Sequence, residues 1–394
     1  MAAVLGVFLH FFSLGCTSFG GPVAHLGYFH ERFVQRERWL TEASYADLVA
    51  LCQLLPGPSS SQVGIGLGML RAGWLGGCAA WIGFTLPSAL LMIAAAALLL
   101  GHPSWLSGGV IDGLKVASVA VVAQAVMAMQ RKLAPDRERL TLMVFSALLV
   151  LLLPTAWGQL LALLVGGFVG FTLLRSPHEQ SSLEQRLALP LSRPVAFALL
   201  AVLFGLMLSL PWLSSTTQPV LIQQLSALVR AGGLVFGGGH AVLPFLEQSV
   251  VHQGWLGLDQ FLTGYGLVQA VPGPMFSFAA FLGFQLEGGL HGIDGAALAL
   301  MALFLPAFLL IGGILPLWCA LGQLRGMRRV LVGINAAVVG ILLAALFEPL
   351  WLASIRTTAE FSLALVAFLL LACWRQPAWR VVGLSALVGA ILFP

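Results

Sequence analysis

The chain consists of long apolar stretches that alternate with short polar loops. A helix that crosses a membrane needs about 20 mainly apolar residues. Stretches that approach this length are predicted to be spanning helices: 3–19, 72–100, 108–129, 139–153, 157–174, 194–211, 220–236, 289–318, 330–346, 359–374 and 380–394. No basic segment precedes the first of them, so we predict a membrane helix there and not a cleaved signal. The pattern predicts an all-α polytopic membrane protein.

Two further apolar stretches, 44–70 and 260–286, are interrupted near the middle by Pro-Gly-Pro. Proline removes a helix donor and clashes with the preceding turn. In hydrocarbon such a break is tolerated only where protein or a water-filled cavity satisfies the freed backbone groups. We favour one broken crossing for each stretch, made of two half-helices. The alternative is a pair of re-entrant hairpins, with 194–211 lying in the membrane interface.

Composition supports the membrane assignment and excludes several other classes. Hydrophobic residues make up 59% of the chain and charged residues 9%, against about 25% charged in soluble domains. This excludes a soluble globular protein and a disordered one. The formal charge is only +4, without a basic patch interleaved with aromatic residues, which argues against nucleic-acid binding. The five cysteines show no pairing or metal-binding pattern.

The same order of motifs occurs twice in nearly constant register. The first half contains Phe19-Gly20-Gly21, Trp39-Leu40, Gln53, Pro56-Gly57-Pro58 and Phe84-Thr85-Leu86-Pro87. The second half contains Phe236-Gly237-Gly238, Trp255-Leu256, Gln269, Pro272-Gly273-Pro274 and Phe304-Leu305-Pro306. Agreement at several motifs in one order indicates an internal duplication. We predict an N-terminal repeat, a polar cytoplasmic linker, a linking helix and a C-terminal repeat, with bounds 1–174, 175–193, 194–218 and 219–394.

Basic residues set the expected orientation. They cluster in four polar segments, 131–139, 175–193, 325–329 and 375–380. Basic loops are retained in the cytoplasm, so we place all four there. In the first half the basic loop follows the helix that contains Gly113, and in the second half it precedes the helix with the matching Gly333. Equivalent helices are therefore expected to run in opposite directions, as in an inverted repeat.

The two Pro-Gly-Pro breaks are the candidate binding site. A half-helix that starts after each break offers free N–H groups and the positive end of its dipole. Serine hydroxyls there add donors without charge, and glycines allow close backbone approach. Two such helix ends near a pseudo-two-fold axis suit a tetrahedral oxyanion. The predicted substrate-binding residues are Gly20, Gly21, Gln53, Gly57, Ser59, Ser60, Ser61, Lys115, Gly237, Gly238, Gln269, Gly273, Ser277 and Asn335.

Ionisable residues within spans are hypotheses for function. Lys115 is one of two lysines in the chain, and Asp112 lies on the same helical face. An anion ligand and an intrahelical ion pair are both open for Lys115. The roles of Arg230, His25 and His240 stay open between function and structure. We find no Walker loop, nucleophile elbow or zinc-protease motif, so we expect no enzyme, no cofactor and no metal.

These motifs resemble the chromate ion transporter family. In the first half the resemblance lies in FGGPVAHLGYFHERFVQRERWL, LCQLLPGPSSSQVG and GWLGGCAAWIGFTLP. In the second half it lies in FGGGHAVLPFLEQSVV and GLVQAVPGPMFSFAAFLG. The second half departs by having Gly239 where the first has Pro22, and by lacking the run Ser59–Ser61. The two halves are therefore expected to contribute unequally.

The resemblance implies the long-chain, two-domain form, a multi-pass protein of the inner (plasma) membrane. It also implies chromate export from the cytoplasm, and hence chromate resistance, with sulfate as a structural analogue. Because no nucleotide site is visible, the expected mechanism is secondary transport by alternating access. The alternative is a permease or exchanger for sulfate or another oxyanion that accepts chromate by mimicry. Chromate or sulfate and the lipid bilayer are the expected partners, and a homodimer is left open.

Overall fold

The computed structural model describes residues 1–101, 108–174, 193–216, 219–236, 239–317 and 325–393. Most of the predicted linker, 175–192, and the predicted site residues Gly237 and Gly238 lie outside these ranges. Within them the regular structure is helical, which confirms the predicted all-α class.

The described residues of the first half form seven α-helices. They are α1 (Ala2–Thr17), α2 (Gly21–Phe29, continued by a π-helix His30–Arg36), α3 (Glu42–Leu54), α4 (Ser59–Gly101), α5 (Gly108–Leu133), α6 (Arg137–Leu152) and α7 (Ala156–Thr172).

The second half follows helix α8 (Arg193–Thr216), which covers most of the predicted linking helix. It begins with α9 (Val220–Leu234), a 3-10 turn (Gly239–Ala241), α10 (Val242–Val250), α11 (Leu258–Ala270), a 3-10 turn (Met275–Ser277), α12 (Phe278–Gln285) and α13 (Gly292–Ile314). The remaining helices are α14 (Arg325–Ala345, continued by a π-helix Leu346–Trp351 and the turn Leu352–Ser354), α15 (Thr358–Ala372) and α16 (Ala378–Leu392).

The outer surface is apolar. Among the described helices, five are long and apolar enough to cross a membrane: α4, α5, α8, α13 and α14. Large apolar side chains are exposed, including Trp157 at 79%, Leu208 at 76% and Ile391 at 78%. Exposed apolar surface on this scale is unfavourable in water, whereas lipid chains accommodate it. The protein is a multi-pass membrane protein.

A bend divides α4 into two helical parts. Ala72 and Gly73 have non-helical backbone angles, with φ of −145° and +65°. Glycine adopts a positive φ without the steric cost of a Cβ atom. The first part, 59–71, therefore changes direction before the second part, 74–101, continues.

Each Pro-Gly-Pro segment turns back on itself. The guanidinium of Arg71 lies 5.4 Å from the centre of the Trp39 ring, so the end of the first part of α4 lies beside the start of α3. In the second half, the N–H of Glu287 donates to the carbonyl of Trp255 across 3.3 Å. The same relationship therefore joins the end of α12 to the start of α11. Our preferred single broken crossings are wrong, because a crossing would place these ends on opposite sides of the membrane.

Helix α1 is also one arm of a hairpin. The Nε of Arg32 donates to Nδ1 of His10 across 3.2 Å, and the rings of Phe11 and Phe33 stack at 4.8 Å. The π-helix that extends α2 thus runs back along α1. The predicted span 3–19 is therefore one arm of a hairpin, which a hydropathy pattern does not reveal, because it does not distinguish an apolar face that meets lipid from one that meets another helix.

The equivalent helix α9 begins at the base of the second Pro-Gly-Pro hairpin. The side-chain amide of Gln224 donates to the carbonyl of Glu287 across 2.7 Å and accepts from the N–H of Leu290 at 2.7 Å. Helix α9 then packs against α10. The predicted span 220–236 is therefore also an arm of a hairpin, and the second half repeats the arrangement of the first.

The two halves exchange their packing partners. Helix α5 of the first half packs on α15 and α16, and α14 of the second half packs on α6 and α7. Glycines allow the close approach, since a Cβ at Gly113 or Gly170 would overlap backbone atoms of the facing helix. Small residues at such positions are typical of helix contacts in membranes. The halves are consequently interlocked.

Basic residues gather at one face of the bundle, which we call the basic face. It includes the end of α5, with Arg131 and Lys132, and the start of α6, with Arg137 and Arg139. Gly170, near the end of α7, lies against the backbone of Arg329, so α14 begins at the same face. Helix α5 runs toward the basic face, and its counterpart α14 runs away from it.

Candidate functional site

Each Pro-Gly-Pro turn meets the glycine turn of the other half. The N–H of Gly57 donates to the carbonyl of Val235 across 2.5 Å, and the N–H of Gly273 donates to the carbonyl of Ser18 across 2.9 Å. Val235 and Ser18 immediately precede the two Phe-Gly-Gly motifs. The two bonds are equivalent under the duplication, and they bring the tips of hairpins from both halves together inside the bundle.

Backbone geometry explains the glycines at these tips. Gly57 and Gly273 have φ values of +115° and +102°, and Gly20 and Gly21 have +104° and +74°. Residues with a Cβ rarely adopt such angles. We predicted that Gly57 and Gly273 bind substrate, but their N–H groups donate to protein carbonyls. Their observed contacts join the two halves.

Polar side chains without partners are buried next to these turns. Ser61 lies in the first turn of α4 and Ser277 precedes α12; they are 4% and 0% exposed. Their hydroxyl oxygens have no hydrogen-bond partner among the described residues, and the same holds for the Ser18 hydroxyl and for Oε1 of Gln62. A serine in the first turn of a helix has no helical carbonyl four residues before it. The hydroxyl groups are therefore available to donate to water or to an anion, whereas the amide oxygen of Gln62 accepts only from a donor such as water.

Other polar groups at the tips are held by protein contacts. Nδ1 of His25 lies 3.4 Å from the Ser60 hydroxyl, and Nδ1 of His240 lies 3.0 Å from the Tyr265 hydroxyl. The amide of Gln62 donates to the carbonyl of Pro56 across 2.6 Å. These bonds orient the two histidines, whose roles the sequence left open, beside the meeting point of the hairpins.

A cavity of about 240 Å³ extends from the tips to the basic face. It is bounded by α5 on one side and by the hairpin tips on the other. Its lining residues are Gly20, Pro22, Leu26, Gln53, Leu55, Ser59, Gln124, Ala125, Ala128, Met129, Lys132, Leu133, Gly239 and His240. We call it the basic-face cavity. It contains three of the predicted site residues, Gly20, Gln53 and Ser59.

Lys132 is the cation of this cavity. Its Nζ donates to Oε1 of Gln53 across 3.2 Å, which uses one of its three donors. No carboxylate of the described residues lies within 4.0 Å of it. In the sequence, Lys132 is one of several basic residues of the loop 131–139. Its residue type was the one available signal for a separate role, because the other basic residues of that loop are arginines.

Lys115 lies outside the basic-face cavity and is paired. Its Nζ is 2.6 Å from Oδ1 of Asp259 and 3.3 Å from Oδ1 of Asp112, and its side chain is 4% exposed. The sequence left Lys115 open between an anion ligand and an ion pair, and these contacts are those of an ion pair. Two carboxylates offset the lysine charge, which removes the attraction for an anion. The pair also joins α5 of the first half to α11 of the second.

The other predicted residues that the structure describes do not line this cavity. Nε2 of Gln269 lies 4.0 Å from the sulfur of Met275. Asn335, which matches Lys115, is 8% exposed, and its Oδ1 has no partner among the described residues. The buried Nε of Arg230 also has no such partner. Within the described ranges, His, Cys, Asp and Glu side chains form no group of three that could hold a metal ion.

Comparison with known proteins shows which sequences this chain resembles. The family model described as chromate transporter matches residues 5–171 and 222–390, which correspond to the two halves. The chain is 30% identical over 397 residues to the chromate transport protein of Cupriavidus metallidurans, covering 98% of this chain and 92% of that protein. The identity to the chromate transport protein of Pseudomonas aeruginosa is 29% over 412 residues, with coverage of 98% and 92%. An uncharacterized transporter of Methanocaldococcus jannaschii is 27% identical, with coverage of 87% and 83%. No solved structure matches the chain significantly.

Proposed function

Because this chain belongs to the chromate transporter family, we propose that it exports chromate from the cytoplasm as a secondary transporter that works by alternating access. Such export would give chromate resistance. The observation that supports this best is the basic-face cavity. Its Lys132 has no carboxylate partner among the described residues, and buried hydroxyl groups lie at the meeting point of the hairpins beyond it.

The charge distribution supports the direction of transport. Basic segments face the cytoplasm, so the basic face is the cytoplasmic one and its cavity opens to the cytoplasm. Lys132 lies at the exposed end of the cavity, and Gln53 is within hydrogen-bond distance of it. An anion from the cytoplasm meets a positive charge first, and charged pores and clefts select ions by this means.

Neutral donors continue the path inward. Gln53, Gln124 and Ser59 line the cavity, and Ser59 begins α4 at the positive end of its dipole. A tetrahedral oxyanion has four oxygens that accept such donors from several directions. We place the bound oxyanion between Lys132 and Ser59, with Ser61 and Ser277 as the next donors toward the centre of the membrane.

The inverted arrangement supports alternating access. Hairpins from the two halves meet through the bonds from Gly57 to Val235 and from Gly273 to Ser18. In transporters built from inverted repeats, the two repeats exchange conformations around a site at their interface. We propose that the hairpin tips move relative to one another, so that access passes from the basic face to the opposite face.

Flux measurements with purified protein in liposomes test the proposal. Isotope-labelled chromate is expected to cross the membrane chemically unchanged, and Lys132→Gln is expected to reduce the flux while Lys132→Arg retains most of it. Arg131→Gln is the matched control, because Arg131 lies on the same face but does not line the cavity. Equal chromate flux in Lys132→Gln and wild-type protein would refute this placement of the site.

Sulfate or another oxyanion is the second candidate substrate. The donors of the cavity recognise tetrahedral geometry and charge, which sulfate shares with chromate. Competition between labelled chromate and unlabelled sulfate, measured in both directions across the liposome membrane, separates the two candidates. Sulfate flux that exceeds chromate flux at equal concentration would identify a sulfate permease that accepts chromate by mimicry.

A further inference from the structure

A second cavity, of about 360 Å³, lies toward the face opposite the basic one. It is bounded by α10, by the connection between α6 and α7, and by the end of α14. Its polar or ionisable lining residues are Thr155, Gln159, Glu247, Gln248, His252 and Glu348. We call it the acidic cavity, and neither the predicted site nor the proposed function uses it.

Three titratable groups face this cavity. The side chain of Glu247 is 8% exposed, and its Oε1 lies 3.1 Å from Nδ1 of His252, which is 47% exposed. Glu348 lines the same space where the helical angles of α14 are interrupted. The lining residues from α11 and from the α6–α7 connection, among them Leu258, Thr155 and Gln159, carry no charge. Water thus reaches His252 directly, and Glu247 lies behind it.

The acidic cavity and the basic-face cavity are lined by corresponding stretches of α14 and α5. The register that matches Gly113 with Gly333 also matches Ala125 with Ala345 and Ala128 with Glu348. Ala125 and Ala128 line the basic-face cavity, and Ala345 and Glu348 line the acidic one. Equivalent stretches of α5 and α14 therefore line cavities of opposite charge at opposite faces.

The opposite charges of the two cavities affect a bound oxyanion in opposite ways. An oxyanion is attracted to Lys132 in one cavity and repelled by ionised Glu247 and Glu348 in the other. Carboxylates that lie close together or beside an imidazole take up and release protons as a coupled group. Proton uptake removes the repulsion, since a carboxylate oxygen that binds H⁺ becomes a neutral carboxyl group.

We propose that the acidic cavity is a proton-binding site in which Glu247 is the acceptor and His252 passes protons to it from water. In this arrangement, proton uptake at Glu247 accompanies release of the oxyanion at the opposite face. The inference rests on the proposed function, and it adds the residues that bind the proton.

Proteoliposomes loaded with chromate and a pH-sensitive dye test the proposal on the full chain. Outward chromate flow through wild-type protein is expected to drive protons inward and acidify the lumen. Glu247→Gln is expected to abolish this proton flow, with at least a tenfold loss, while chromate affinity at the basic-face cavity changes less than twofold. Glu360→Gln is the matched control, because Glu360 is equally buried, at 6% exposed, but caps α15 through Thr357.

A direct readout of proton binding complements the flux. In infrared difference spectra of wild-type protein, acidification is expected to produce the C=O stretch of a neutral carboxylic acid, and Glu247→Gln is expected to lack it. If Glu247→Gln does not yield monodisperse protein, Glu348→Gln carries the same test and is expected to weaken the proton flow.

The outcomes distinguish the proton site from the transport function. Wild-type protein that moves chromate without moving protons would overturn the proton site and leave the transport function intact. Glu247→Gln with wild-type proton flow would also overturn it. Wild-type protein that moves no oxyanion at all would refute the proposed function itself.

Discussion

The backbone N–H of Gly273 donates to the carbonyl oxygen of Ser18 across 2.9 Å, which links the Pro-Gly-Pro turn of the second half to the glycine turn of the first. The equivalent bond joins Gly57 to Val235. Proline on each side of the glycine has no N–H to donate, so the glycine supplies the one backbone donor within each motif. In a membrane an unsatisfied backbone group costs several kcal/mol, and each half satisfies the donor of the other.

Gly57→Ala is expected to destabilise the protein. Gly57 has a φ of +115°, and an added Cβ would lie 2.6 Å from Nε2 of Gln62. A left-handed angle costs a residue with a Cβ about 1–2 kcal/mol, so the midpoint of thermal unfolding in detergent should fall. Gly6→Ala is the control, because Gly6 has no neighbouring atom within 4 Å of an added Cβ. Equal midpoints for the two variants would show that the turn tolerates a side chain.

Lys132→Gln is expected to weaken chromate binding. A hydrogen bond to a charged group contributes about 1.5–3 kcal/mol, which corresponds to about a 10- to 150-fold rise in Kd. Because Lys132 is exposed at the end of its cavity, salt should reduce the difference between wild type and variant. Titration calorimetry at two ionic strengths measures both effects. A Kd unchanged at low salt would exclude Lys132 from the binding path.

Ser61→Ala is expected to weaken chromate binding without a loss of stability. The Ser61 hydroxyl is buried and has no partner among the described residues, so its removal breaks no bond within that part of the fold. If it donates to the anion, Kd rises by up to about 10- to 150-fold. Ser118→Ala is the matched control, since that buried hydroxyl donates to the carbonyl of Leu114 at 2.9 Å. Unchanged binding by Ser61→Ala would move the site away from the start of α4.

Lys115→Met is expected to lower stability while chromate affinity stays the same. The substitution leaves Asp112 and Asp259 without their cation. Breaking a fully buried pair costs about 3–5 kcal/mol; the loss here should be smaller, because the Asp259 side chain is 70% exposed. The double variant Lys115→Met/Asp259→Asn should recover part of the stability. A large rise in the Kd for chromate would instead assign Lys115 to the substrate.

Local features of the fold were predictable from the sequence. Proline and glycine act on their own backbone, so the breaks at Gly57 and Gly273 and the helix starts at Ser59 and near Ser277 follow from residue types alone. The apolar stretches likewise predicted α5 and α13, because a helix satisfies its own backbone hydrogen bonds wherever it lies. The duplication predicted which residues of the two halves correspond.

The tertiary structure decided which residues meet. Hydropathy is the same for a helix that crosses the membrane and for an arm that turns back. Tertiary contacts such as those between Trp39 and Arg71 and between Trp255 and Glu287 distinguish them. The roles of the two lysines follow the same logic. The role of a lysine depends on what the fold places beside it. Lys115 lies beside the carboxylate of Asp259, from the other half of the chain. Lys132 lines an open cavity. The electrostatic potential at a site depends on the distances between charged groups from segments far apart in sequence. Those distances are fixed only when the two halves pack together.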